Sequence, residues 1–179
     1  MRPRFVFDPT PLIHLAKAGL APLVVDLAGD KFTVPAVADE VVGRAEEEEF
    51  EYPDAGIVSS LIDEGVIQVR KPAAKDVGRV ARLHRDLHRG EAEVLALAKE
   101  LAAVAVMDDR AARAAARIQG VRLEGTYGVV LRAVRKGSVT VREAEGDLDR
   151  LVSSGWRCDA ELYAGLLRSL KEFGRAAKP

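Results

Sequence analysis

The sequence predicts an α/β fold in which a mainly parallel sheet is covered by helices on both faces. Three observations carry that reading. Short apolar runs alternate along the chain with segments of helical period, as in successive βαβ units. The run 103–107, Ala-Val-Ala-Val-Met, is apolar throughout, as a strand buried on both faces must be. Apolar residues make up 48% and charged residues 31% of the 179, enough for one sizeable core and far from a disordered composition.

From the N-terminus, Phe5-Val6-Phe7 reads as a strand ending at Asp8, and Pro-Thr-Pro leads into Leu12, Ile13, Leu15 and Ala16 at helical spacing. Thr10 followed by Pro11 makes an N-cap and first-turn pair. A second helix covers about 20–27, a strand 31–34, and Pro35 opens a helix whose face carries Val37, Ala38, Val41 and Ala45. Residues 43–56, with Glu46, Glu47, Glu48 and Glu49 in a row, read as a mobile acidic excursion. A helix over roughly 57–64, a strand over 66–69 and a basic helix over 75–88 follow, with Gly90 as a break. Beyond it lie a strongly periodic helix at 91–102, the strand at 103–107, a helix at 110–118, a strand at 121–123 and a helix at 126–136. The tail reads as two further helices, about 141–152 and 159–173.

Several functions are excluded early. No run approaches the roughly 18 to 20 apolar residues of a membrane helix, and Arg2 and Arg4 lead into a strand instead of a signal-peptide core. A cytoplasmic protein of one domain, without membrane contact, is the expectation. The single cysteine, Cys158, makes no internal disulfide, and thiolate zinc sites need several cysteines. The formal net charge of −1 argues against a strongly basic nucleic-acid surface, yet it hides a sorting of charge. Residues 1–69 hold 13 acidic and 5 basic residues, residues 70–142 hold 8 and 16, and residues 143–179 hold 7 and 6.

In open α/β sheets ligands bind beyond the carboxyl ends of strands, so polar residues there are weighed first. Asp8 follows one strand; Asp108 and Asp109 follow another, one of them to cap the next helix and the other free. Glu91 falls within the apolar stripe of Val94, Leu95, Ala98 and Ala102 and so points inward, whereas Glu93 falls on the opposite, solvent side. Glu40 borders the apolar face of its helix, with Asp39 further towards solvent. Acids from four separate elements repel one another unless a cation shares them. Hard oxygen donors without His or Cys suit Mg²⁺ or Mn²⁺, which activate water and neutralise charge on a phosphodiester. Arg110, Arg113 and Arg117 share one helix face and Ala111, Ala115 and Ile118 another; Arg79, Arg82, Arg85 and Arg89 form a second basic stripe. Both stripes suit a phosphate backbone.

The segments FVFDPTPLIHLAKAGL, FTVPAVADEVV, RGEAEVLALAKEL, VAVMDDRAARAAARIQGV and EGTYGVVLRAVRKG, in this order over most of residues 4–137, resemble the PIN domain family, in particular relatives of the VapC-like toxins. The resemblance implies a three-layer α/β/α sandwich over a core at 1–137, with extra C-terminal helices at 138–179. It also implies a Mg²⁺- or Mn²⁺-dependent ribonuclease whose acids are Asp8, Glu40, Glu91 and Asp109, with Asp108 adjacent. Asp8, Glu91, Asp108 and Asp109 are the implied metal ligands, and Thr10, Arg110, Arg113 and Thr126 the substrate contacts, although a capping role suits Thr126 equally. RNA, a cognate antitoxin and a second copy of the chain are the implied partners. The pattern departs from the commoner D-x-S in carrying Asp-Pro-Thr, and in the acidic insertion after Glu40.

Two other readings compete. The strand with Asp-Pro-Thr and the later AVAVMDD also resemble haloacid-dehalogenase-like phosphatases, in which Asp8 is a covalent nucleophile; that chemistry needs a phosphate-side lysine, and only Lys75 and mid-helix Lys99 lie between Lys71 and Asp108. A PIN fold kept as a binding module is the non-enzymatic alternative. His84 and His88 look like a metal pair at i, i+4, but they sit on the side of Val77, Val80 and Leu87 and read as packed histidines. Trp156 and the tail residues Leu162, Tyr163, Leu166, Leu167 and Leu170 read as core, dimer or antitoxin surface rather than base contacts.

Overall fold

The computed structural model describes residues 2–47 and 53–176. Five strands form one all-parallel sheet: β1 (Arg4–Phe7), β2 (Asp30–Thr33), β3 (Gln68–Val69), β4 (Val104–Val106) and β5 (Arg122–Glu124), in the order β3-β2-β1-β4-β5. The helices are α1 (Pro9–Lys17), α2 (Ala21–Asp26), α3 (Pro35–Glu47), α4 (Pro53–Asp63), α5 (Ala74–Leu83), α6 (Arg89–Glu100), α7 (Arg110–Gln119), α8 (Thr126–Lys136), α9 (Val141–Ser153) and α10 (Ala160–Ala176). By their mutual contacts α5, α6 and α7 pack in succession, α1, α2, α8, α9 and α10 form a second group, α4 packs on α1 and α3, and α3 touches both α1 and α6. The result is the expected three-layer α/β/α arrangement.

Why the sheet takes this order follows from burial. Phe5, Val6 and Phe7 of β1, and Val104, Ala105 and Val106 of β4, are all buried, so these two strands need cover on both faces and occupy the middle. Phe7 lies opposite Val106, and Val106 opposite Glu124, which aligns the carboxyl ends of β1, β4 and β5 along one edge. The C-terminal helices belong to the same core: Leu148, Leu151 and Leu170 are fully buried within it.

Several sequence expectations are corrected. Thr10 is not an N-cap; α1 begins at Pro9, Asp8 stands at the cap position, and Thr10 is exposed inside the first turn. The acidic excursion is shorter than expected, because α3 runs to Glu47 and α4 starts at Pro53, where Asp54 is buried and pairs with Lys17 at 3.9 Å. Glu48, Glu49 and Glu51 lie outside the described residues. The basic helix over 75–88 is broken: α5 ends at the cap residue His84, and a new helix begins at Arg89 once the Glu91 carboxylate accepts the His88 N–H at 2.8 Å. His84 and His88 therefore do not share a helix face; His84 pairs with Gln119 at 3.2 Å and His88 is exposed. Arg79, Arg82, Arg85 and Arg89 consequently form no single stripe. Gly90 lies in the first turn of α6 instead of stopping a helix. Ile118, expected on the apolar face of α7, is 72% exposed at the helix end.

Candidate functional site

Strand order reverses between β1 and β4: the chain winds from β1 towards β3 on one side and continues into β4 and β5 on the other. At such a switch point the loops leave the sheet in opposite directions and open a crevice. Asp8 stands in it, one residue past β1, its N–H donating to the Val106 carbonyl at 3.1 Å. Only 6% of Asp8 is exposed, and its side chain makes no capping hydrogen bond. Burial pushes its carboxyl from the usual 3.8 up to about 7, and the charges of Glu91, Glu40 and Asp108 push the same way, while the Thr10 N–H opposes them. Glu91, at the start of α6, is raised first by burial and then by Asp109, against the pull of the His88 N–H.

The structure thus gathers Asp8, Glu40, Glu91, Asp108 and Asp109 within electrostatic reach along one edge. Glu40 and Asp109 are its exposed members, Glu40 reaching in from α3. Asp8, Glu91, Asp108 and Asp109 enter no ion pair among the described residues, and among those residues no three acidic, His or Cys side chains stand close enough together to hold a metal ion as they are.

The two adjacent aspartates divide their roles. Asp109 is the N-cap of α7, its Oδ1 accepting from Ala111 at 2.6 Å and Ala112 at 3.0 Å. Asp108 is a hub. Its Oδ1 accepts the Thr126 N–H at 2.8 Å, and its Oδ2 accepts the Thr126 hydroxyl at 2.5 Å and the Trp156 indole N–H at 2.9 Å. Thr126 is fully buried, so what it touches is Asp108, and the helix cap beside it is Gly125. Arg110 and Arg113 are exposed on the first turns of α7 and enter no ion pair among the described residues.

Gly125 is held to glycine by this hub. A Cβ at that position would stand 2.8 Å from Asp108 Oδ1 and 3.5 Å from Arg113 Nη2, and three donors keep the Asp108 carboxylate from moving aside. Gly125→Ala is expected to lower activity about tenfold or more with only a modest fall in melting temperature, measured by kcat/KM and thermal unfolding in parallel; unchanged activity would show that Asp108 need not hold its place.

Three residues escaped the sequence reading. Glu93, assigned to solvent, is buried and accepts from Arg89 at 2.9 Å and the Ala36 N–H at 3.3 Å, so it ties α6 to the start of α3. Trp156 reads from sequence as core, dimer or antitoxin surface, and nothing in its neighbours along the chain signals a hydrogen-bond partner 48 positions earlier. His14, on α1, is held below its usual range by burial despite the opposing charge of Asp108, and its Nδ1 is buried without a hydrogen bond.

A family model described as a PIN domain matches residues 4–172. This chain belongs to the PIN domain family. No curated protein gives a significant match. Nuclease activity is the general property of PIN domains, and divalent metal ions generally serve it. The matched span of this PIN domain takes in α9 and most of α10, which agrees with the indole of Trp156 sitting on Asp108. The dehalogenase-like reading gives way to the family assignment, and its candidate lysine, Lys99, bonds Gln119 at 3.0 Å. The residues present fit a divalent cation: all donors are hard oxygens, and the most buried of them, Asp8, is crowded by like charges. Among the described residues no helix is long and apolar enough to cross a membrane.

Proposed function

We propose that this PIN domain is a Mg²⁺- or Mn²⁺-dependent endoribonuclease, acting as the toxin of a toxin–antitoxin pair. The observation that carries the nuclease reading is the buried Asp8 at the sheet switch point, crowded by Glu91, Glu40 and Asp108. Such a cluster is costly as bare carboxylates and becomes favourable when a divalent cation is shared. Asp8, Glu91, Asp108 and Asp109 would hold the ion, Asp109 through the oxygen its cap leaves over. When bound, the ion makes water nucleophilic and neutralises charge developing on the phosphodiester. Glu40, exposed on α3, would take a proton from the incoming water. Arg110 and Arg113, on the exposed turns of α7, receive phosphates of the strand, and Asp109 fixes their helix. Thr126 and Trp156 position Asp108. Thr10, exposed beside Asp8, faces the substrate side.

Incubation with single-stranded and structured RNA in Mn²⁺ tests the proposal, with EDTA and Asp8→Asn as controls. Metal-dependent cleavage lost in both controls is expected; no cleavage under any condition would sink the nuclease reading and leave a binding module. Induced expression that halts growth for the wild type but not for Asp8→Asn is expected of the toxin, and light scattering is expected to give a homodimer. With a net charge near zero and two unpaired arginines at the site, RNA affinity should fall shallowly with salt, with a log–log slope of about −1.4. A slope several times steeper would place the RNA on a far larger basic surface.

A further inference from the structure

Beside the acidic edge lies a cavity of about 380 Å³, bounded by the β5–α8 turn, α7, the segment around Trp156 and α10. Its size falls within the range of small-ligand sites. One wall is apolar, made by Leu131, Leu162 and Leu166. The other carries Arg113 and Arg157, both exposed, neither in an ion pair among the described residues. Of the two acids that line the cavity, Glu124 is neutralised by Arg132, whose Nε donates to it at 2.7 Å, and Asp108 is held by three hydrogen-bond donors. Asp108 is common to the cavity and to the acidic edge, so the two are neighbours. A slot with one apolar wall, a surplus of guanidinium and a place beside the acidic edge matches one chemistry: a flat base with a phosphate attached.

We propose that this cavity is a subsite for one nucleotide of the substrate strand, next to the phosphate that is cut. The base enters between Leu131, Leu162 and Leu166, and its phosphate lies on Arg113 and Arg157. This rests on the ribonuclease reading and deepens it, because a base can reach the slot only when unpaired, which confines the enzyme to single-stranded RNA. The residues that choose the base then lie on α8 and α10, away from the acids that cut.

Trp156 is the chain's single tryptophan and lines the cavity, so its fluorescence reports occupancy. Asp8→Asn protein in EDTA, which separates binding from cleavage, is titrated with each of the four nucleoside 5′-monophosphates, with inorganic phosphate, with the free nucleosides and with a short acidic–apolar peptide. Expected is a saturable change with at least one nucleotide, about tenfold weaker for phosphate or nucleoside alone, and about tenfold weaker in Arg157→Ala. Leu162→Phe, at a 43% exposed position where folding is not at stake, should weaken the nucleotide by narrowing the slot. The same two variants in the active protein should raise KM for oligonucleotides and flatten base preference beside the cut. RNA cleavage that persists while no nucleotide gives a saturable change would overturn the subsite and leave the nuclease reading standing. Tighter binding of the peptide would overturn it in favour of a protein partner, and nucleotide binding without any RNA cleavage would overturn the nuclease reading instead.

Discussion

Asp8→Asn should abolish RNA cleavage and at the same time stabilise the metal-free protein. The carboxyl of Asp8 titrates near 7 in the folded state against 3.8 in its ordinary setting, so the folded protein holds this proton more tightly than the unfolded chain. The contribution of Asp8 to stability is therefore fully present below pH 4, declines as pH rises, and is gone above pH 7, where ionised Asp8 is buried among like charges. Converted at 1.36 kcal/mol for each pH unit, the loss at pH 8 is about 4 kcal/mol. Asparagine carries no charge to bury. The variant should melt about 5 °C or more above the wild type at pH 8 in EDTA, and the gap should close towards pH 4. Saturating Mn²⁺ narrows the gap: at a hundred times its dissociation constant it adds about 2.7 kcal/mol to the wild type, against the loss of about 4 kcal/mol, and far less to the variant. An asparagine variant less stable than the wild type at pH 8, or equal Mn²⁺ shifts in both proteins, would contradict this account of Asp8.

The neighbouring aspartates should differ sharply when each is replaced by alanine. Removing Asp108 strands three donors in or near the core: the Thr126 N–H, the Thr126 hydroxyl and the Trp156 indole N–H. Unmade hydrogen bonds of this kind cost about 1–3 kcal/mol each, so Asp108→Ala should lose about 3–5 kcal/mol in urea unfolding. Asp109→Ala loses a helix cap, about 1 kcal/mol. The mirror experiment is Thr126→Val with Trp156→Phe, which removes both side-chain donors while keeping most of the volume. It should leave the protein folded, lower kcat with little change in KM, and spread the Asp108 carboxylate's position. Equal stability losses for the two alanine variants would remove Asp108 from the hub.

How far the sequence carries depends on the range of the forces involved. Asp8 and Asp108 were found because an apolar run that ends in aspartate is a local pattern, and the parallel sheet then places both at one edge. Glu91 was found by helical phase, though its carboxylate turns back to the His88 N–H and is only half-buried. Phase misassigned Glu93 on the same helix, because its burial is set by Arg89 and by the Ala36 N–H of α3, a contact 57 positions away. The period of the basic helix runs on through Leu83 and Leu87, but a reciprocal hydrogen bond at the start of α6 outweighs it locally. Trp156 carries no periodic signal at all; its role arises only when α9 turns the chain back against α8. The charge sorting was visible at once, and the fold explains it: the acids of the first third and those of the basic middle meet across the gap between β1 and β4.

The indole on Asp108 has a consequence for the order in which the protein comes to life. Asp8 and Asp108 lie in the first two thirds of the chain, and the last strand of the sheet that aligns them ends at Glu124. Trp156 is made later and must be carried back by α9 before it can donate to Asp108. A chain that has not yet packed α9 therefore lacks one of the three donors that fix Asp108, and the carboxylate gains its full set of partners only when the last third of the protein has folded against the sheet.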